Sequence, residues 1–253
     1  MPITRTQDGS VDVLDLAMPG GNAIDHPFIE AFEAALAECE ASPARSLVLT
    51  AKGSVFSVGL NVVVAYEYDR AAMGAFVDAF DAMFLRLFTF PKPTVAAVNG
   101  HAIAGGCILA MACDLRIMQD GPFTIGVNEV AIGIPFPSVA LEVARQAVPP
   151  TSWACVILEG RRFSPDEALT IGLLHGVARG ENVREVALAR AHRYDDLPPR
   201  ALARTKAELR APVVAAIAAR RSERRERFLD AWLGDEARLR VGDVREKLLA
   251  RRR

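Results

Sequence analysis

At 253 residues the chain has room for one large domain or two small ones, and with 51% of it hydrophobic it can bury a sizeable core. A formal net charge of −1 argues against nucleic-acid binding as its main role. No apolar run reaches the roughly 18 residues of a membrane span, and the opening segment MPITRTQDGS lacks the apolar stretch of a signal peptide, so a cytoplasmic protein with no membrane partner is expected.

In chain order, Val11, Val13, Leu14 and Leu16 predict a first strand, and Pro19–Ile24 a loop. Phe28, Phe32, Ala35, Leu36 and Cys39 recur at helical spacing, which predicts an amphipathic helix over His26–Ala41. Ser46–Ala51 is a buried strand, and the β-α-β alternation points to an α/β layer with parallel strands. Lys52–Val63 is a loop carrying Gly53 and Gly59. Arg70–Phe90 is a helix whose apolar stripe (Met73, Phe76, Val77, Phe80, Met83, Phe84, Leu87) is core or pocket lining, and Pro91 and Pro93 end it.

The stretch Asn99–Asp114, NGHAIAGGCILAMACD, follows a β-branched strand, Thr94–Val98. A turn pair, Asn99-Gly100, and then Gly105-Gly106 precede a small apolar helix, Cys107–Ala112. Strand, glycine loop and helix bring backbone N–H groups close to a ligand atom, suiting a phosphate or a developing oxyanion. Gly106 is followed by Cys107-Ile108 rather than Lys-Ser/Thr, which excludes a P-loop, and the G-x-G-x-x-G spacing is absent. A thioester oxyanion hole and simple close packing of helix on strand both remain open.

Downstream, Leu115–Met118 and Phe123–Ile125 are strand-like, and Gly126–Pro137 is a loop with one acid, Glu129, among apolar neighbours. Ser138–Ala147 and Thr151–Glu159 predict helices, and Ser164-Pro165-Asp166-Glu167 predicts a capping box with Pro at the first helical position. Everything after Val183 is helical, broken at Pro198-Pro199 and Pro212. Residues 198–253 hold 16 Lys/Arg against 8 Asp/Glu, either a solvated face with a frayed Arg251–Arg253 tail or a phosphate-friendly surface. The four cysteines, Cys39, Cys107, Cys113 and Cys155, and the four scattered histidines show no metal spacing, so reduced thiols and no metal site are expected.

The run from Lys92 to Cys107 with Ala112-Cys113-Asp114 resembles the signature of the crotonase (enoyl-CoA hydratase/isomerase) superfamily. The likeness extends to Lys52–Asn61, Phe123–Pro137 and Phe163–Leu173, and covers roughly residues 10–250. It implies a crotonase-like spiral of ββα units, a core over residues 1–195, and a C-terminal helical region over 196–253 that packs on the core or on a neighbouring subunit. It further implies an acyl-CoA thioester as substrate, with coenzyme A entering as part of that substrate and no separate cofactor, and a homotrimer or hexamer. Phe228, Leu229, Trp232 and Leu233 fit the last point as apolar residues needing a partner surface.

Residue by residue, the resemblance assigns the oxyanion hole to the backbone N–H groups of Leu60, after Phe56-Ser57-Val58-Gly59, and of Gly105. Of the two glutamates of family hydratases, the first position holds Ile108 and the second, in Gly126-Val127-Asn128-Glu129, holds Glu129. A third acid position, used by some isomerases and dehalogenases, holds Pro137. Asn22, Ala23, Ile24, Val58, Val62, Ile108 and Lys247 match substrate or coenzyme A contacts, while Val244 stands where Phe is usual. Asp114 has the place of a structural acid, and His101 of a group that packs or faces the pocket rim. With one carboxylate, double-bond isomerisation of a 3-enoyl-CoA suits the site better than hydration, which wants two. Apolar Val127, Val130 and Ile132 would raise the Glu129 pKa. Two alternatives stand beside it: a hydratase with water held by His101 or backbone, and an acyl-CoA-binding protein without turnover; for Glu129 itself the alternative is a structural acid paired with an arginine.

Overall fold

A computed structural model describes residues 3–250; the expected frayed tail at Arg251–Arg253 lies outside them. Six strands form the larger sheet in the order β1-β2-β3-β5-β7-β9: β1 (Ile3–Asp8), β2 (Val11–Leu16), β3 (Ser46–Ala51), β5 (Thr94–Val98), β7 (Leu115–Gln119) and β9 (Gly176–Ala178). A smaller parallel sheet holds β4 (Val55–Ser57), β6 (His101–Ile103) and β8 (Ile125–Gly126). The pairs β3/β4, β5/β6 and β7/β8 each send their first strand to the large sheet and their second to the small one. This is the ββα spiral that the resemblance implies.

Val11–Leu16 is not the first strand. Ile3–Asp8 precedes it and pairs with it antiparallel from Ile3↔Leu16 to Asp8↔Val11. Gly9, at φ 54, makes the reversal, a left-handed conformation that glycine adopts without steric penalty. All other pairings in the large sheet are parallel. Every residue of β2, β3 and β5 is buried, because helices cover the sheet.

The helices that shape the site are α1 (His26–Ala41), α2 (Arg70–Phe88), α3 (Gly105–Met111), α4 (Ser138–Ala147), α5 (Pro165–Thr170), α6 (Val183–Ala191), α7 (Pro199–Leu233) and α8 (Asp235–Ala250). Asp25 caps α1 by accepting from Phe28 N–H at 3.1 Å, and Asp69 caps α2 by accepting from Ala72 N–H at 2.8 Å. The Ser164/Glu167 capping box forms at the start of α5, with Pro165 at its first position. Thr151–Glu159 is not an α-helix: a 3-10 turn at Pro150–Ser152 passes into a π-helical turn at Ala154–Leu158.

Pro212 does not break the C-terminal region; α7 runs through it for 35 residues. Packing on either side outweighs the lost N–H. Before Pro212, Lys206 and Arg210 meet Asp114 at 2.6 and 2.9 Å. After it, Ile217, Phe228, Leu229 and Trp232 are buried in the core of this same chain. Those last apolar residues therefore need no neighbouring subunit to cover them. Much of the basic surplus docks helices too, through Arg224–Glu142 (2.8 Å), Arg225–Asp78 (3.0 Å) and Arg245–Glu67 (2.6 Å).

Candidate active site

A cavity of about 340 Å³ lies between the Val58–Val63 loop, α2, the start of α3, the segment after β8, and α7–α8. Its walls are apolar: Phe76, Val77 and Phe80 from α2, Ala140 from α4, Phe228 from α7, and Val244 and Leu248 from α8. The spacing of the α2 stripe served both purposes, since Met73, Met83, Phe84 and Leu87 are core while Phe76, Val77 and Phe80 face the cavity.

Two backbone amides adjoin at one wall. Leu60 forms a parallel bridge with Ile24, in which Ile24 N–H donates to Gly59 O (2.7 Å) and Asn61 N–H to Ile24 O (2.9 Å). That pattern turns the Leu60 N–H away from the bridge, and it has no acceptor among the described residues. Opposite, Ala104 takes φ 50 and ψ −124, its N–H donating to Gly126 O at 2.9 Å, and its carbonyl receives the first intrahelical bond, from Ile108 N–H (3.0 Å). A positive φ at an alanine is strain of the kind concentrated at functional sites. It starts α3 with the Gly105 N–H also lacking an acceptor among the described residues. The two segments touch so closely that a Cβ at Gly59, itself at φ 78, would lie 2.6 Å from the Gly105 nitrogen.

The loop carrying Leu60 is tied from behind. Ser57 Oγ donates to Asn22 O at 2.8 Å and accepts from Gly59 N–H at 3.1 Å. Asn22 Nδ2 donates to Phe56 O at 2.9 Å, and Asn22 Oδ1 accepts from Met18 N–H at 2.7 Å. Asn22 is thus absent from the cavity lining and supports the loop instead. Ile24 likewise stands behind the wall, where its Cδ1 would meet a Cβ on Gly105 at 3.4 Å. Ala23, Val58, Leu60, Val62, Gly105, Ile108 and Glu129 all line the cavity, and Pro137 does as well. Lys247 does not: α8 turns Val244 and Leu248 inward and leaves Lys247 exposed.

Glu129 is 7% exposed. Its carboxylate has no ion-pair partner among the described residues, and Oε2 is buried without a hydrogen-bond partner, so no arginine neutralises it. Burial pushes its pKa up to about 7, against the weaker pull of the Asn128 and Glu129 backbone N–H groups. His101 is not at the rim. Its Nδ1 accepts from Thr124 N–H at 3.0 Å, its ring stands edge-on to Phe123, and it is not among the lining residues, which removes it as a water holder. Asp114 is structural, receiving Thr94 N–H (2.8 Å), Lys206 and Arg210. Sequence reasoning missed Asn128, Arg162, Phe228 and Leu248 as lining residues. The motif position beside Glu129 could have revealed Asn128; the others come from distant elements.

Residues 6–241 match the family described as enoyl-CoA hydratase/isomerase. The human mitochondrial enoyl-CoA delta isomerase 1 is 28% identical over 222 residues, covering 87% of this chain and 74% of that protein. A probable enoyl-CoA hydratase of Mycobacterium tuberculosis, EchA17, is 30% identical over 246 residues, 94% of this chain and 91% of that one. The crystal structure of the human mitochondrial delta3-delta2-enoyl-CoA isomerase superposes with a TM-score of 0.92 at 26% identity, covering 99% of each chain.

Proposed function

The chain belongs to the enoyl-CoA hydratase/isomerase family, and from that membership we propose that it shifts the double bond of a 3-enoyl-CoA to the 2-position with Glu129 as sole proton carrier. The Glu129 carboxylate removes a proton from C2 of the thioester. The electron pair moves toward the thioester oxygen, and the resulting dienolate is held by the Leu60 and Gly105 N–H groups. The protonated Glu129 then returns the proton to C4, which leaves the double bond between C2 and C3. Nothing else is consumed, and coenzyme A enters and leaves as part of the substrate. Ala23, Val58, Val62 and Ile108 are its proposed contacts, with Lys247 outside the cavity.

The observation that carries this reading is the solitary carboxyl. Ile108 and Pro137 present hydrocarbon to the cavity where a second acid would sit. Hydration needs a base for water and an acid for the α-carbon; a 1,3-proton shift needs only one group that does both in turn. A pKa near 7 suits a group that must be base and acid in one cycle.

Glu129→Gln keeps the shape and removes the base. Isomerisation of 3-hexenoyl-CoA, followed by the ultraviolet absorbance of the conjugated product, should fall by roughly 10²–10⁴, with acyl-CoA affinity little changed. The hydratase reading is favoured by the names of several relatives. If the wild type hydrates 2-hexenoyl-CoA as fast as it isomerises 3-hexenoyl-CoA, that reading replaces ours; if it binds both and turns over neither, it is a binding protein.

A further inference from the structure

A second cavity, of about 610 Å³, lies at the opposite end of α3 from Gly105, between Met111, the end of α4 and the first turns of α7. It shares no lining residue with the first, and its volume is that of a small-molecule site. Three cations and one carboxylate line it: Arg116, Lys206 and Arg210 against Asp114. His175 adds no charge, since desolvation and the neighbouring Arg116 hold its pKa down to about 4. The fold itself occupies two of the cations. Arg116 donates to the carbonyls of Met111, Cys113, Ala147 and Leu173, and Lys206 donates to Asp114 and to Lys92 O. Arg210 is different. Its Nη2 donates to Asp114 Oδ1 at 2.9 Å and its guanidinium lies 3.9 Å from the Phe88 ring centroid, but Nε and Nη1 have no acceptor among the described residues and are not shut away from solvent. Tyr194 and Thr205 add hydroxyls to the lining. The rest is largely hydrocarbon, with Leu202 partly covered and Leu197 and Leu209 exposed at the rim.

A surplus of positive charge, open guanidinium donors and an exposed apolar rim suit a ligand that is anionic at one end and apolar along the rest. We propose that this second cavity binds a small organic carboxylate with a hydrocarbon body, its carboxylate accepting from the open N–H groups of Arg210 and its chain lying against Leu197, Leu202 and Leu209. Bonds of this charge-assisted kind are among the strongest that a guanidinium makes. A phosphate ion would leave the hydrocarbon bare, and Asp114 would repel its second negative charge. A neutral apolar molecule would desolvate the guanidinium and offer it no acceptor. The site does not depend on the reaction proposed for Glu129.

The test is calorimetric titration of wild-type protein at pH 7.5 with octanoate and with octanamide, which has the same chain and no charge. Octanoate should bind about tenfold tighter, the scale of one charge-assisted hydrogen bond. Arg210→Gln should bring the two affinities together. Should that variant not fold, Leu209→Asp, at an exposed position, should cut the preference for octanoate roughly two- to threefold by repulsion across the rim, while Leu209→Asn leaves it in place. Equal affinities in the wild type overturn the proposal, and so does a preference that survives Arg210→Gln. Octanoate lodged in the first cavity would face Glu129 instead, so binding that Glu129→Gln tightens and Arg210→Gln leaves alone overturns it too. A wild type that binds neither probe, as when a second copy of the chain already fills the cavity, likewise overturns it.

Discussion

Glu129 and Asp81 are carboxyls that the fold holds in unfavourable surroundings. Asp81 is 3% exposed, receives only Val139 N–H at 3.3 Å, and is pushed by burial up to about 7, as Glu129 is. In the unfolded chain both titrate near the ordinary values of 3.8 and 4.5. Between those values and pH 7 these two groups bind more protons in the folded state than in the unfolded one, so their own contribution to stability is greatest at acid pH and falls as pH rises to about 7. Each group contributes on the order of 3 kcal/mol to that fall. Glu129→Gln, which cannot ionise, should raise the melting temperature at pH 8 and leave it nearly unchanged at pH 4.5; equal shifts at both pH values would show that Glu129 is not buried as a charge. The direction of the Glu129 shift was legible from Val127, Val130 and Ile132, but its cause was only half so. Val130 is 46% exposed. Ile108, a position the resemblance already marked, also lines the cavity, together with Phe228 and Leu248, which only the fold brings there.

Among the elements, α3 and the Gly59 loop form one unit, and each has a separate test. Gly105→Pro removes one N–H while proline remains acceptable at a first helical position; its ring carbons must also displace Phe80, whose Cζ lies 3.1 Å from a Cβ there. Gly59→Ala keeps both N–H groups but drives a methyl against the Gly105 nitrogen and requires alanine at φ 78. Each should lower turnover by 10² or more with the far-ultraviolet circular dichroism unchanged, and a folded Gly105→Pro protein of full activity would remove Gly105 from the mechanism. Elements whose signal is local were legible to the residue: His26–Ala41 by its 3.6-residue period and Ser46–Ala51 by its short, mostly apolar run. Strand β1 was not, because an edge strand half in solvent has little apolar alternation to show. The continuity of α7 through Pro212 was hidden for the opposite reason: helix propensity is local, and the contacts that override it join residues about a hundred positions apart.

At the scale of the whole molecule, α7 and α8 fold over the cavity of their own chain. The Arg238 guanidinium stacks 3.5 Å from the Tyr66 ring centroid and its Nη1 donates to Tyr66 O at 2.6 Å, fastening α8 to the end of the helical turn Val62–Ala65 that follows the Leu60 loop. The trimer or hexamer that the family resemblance implies has the outward faces of these helices and the rest of the surface to form through. Leu158, Leu197, Leu209 and Leu239, each at least 44% exposed, are among the large apolar side chains of the described residues still open to a partner; sedimentation showing only a 27.3 kDa species at micromolar concentration would rule that assembly out. The covering helices also set the chemistry beneath them. Val244 and Leu248 keep water from a carboxyl that no cation neutralises. Replacing both with serine should admit water, lower the desolvation that raises Glu129, and move its pKa from about 7 toward 4.5. Because the base must be ionised to take the C2 proton, the rising limb of kcat/KM against pH should begin at lower pH in the V244S/L248S protein. As the carboxyl becomes a stronger acid it returns the proton to C4 more readily but is a weaker base at C2, so with proton removal limiting the plateau rate should fall as the limb moves. A limb that stays near pH 7 in a folded double variant would mean that the raised pKa comes from elsewhere than the cover of α8.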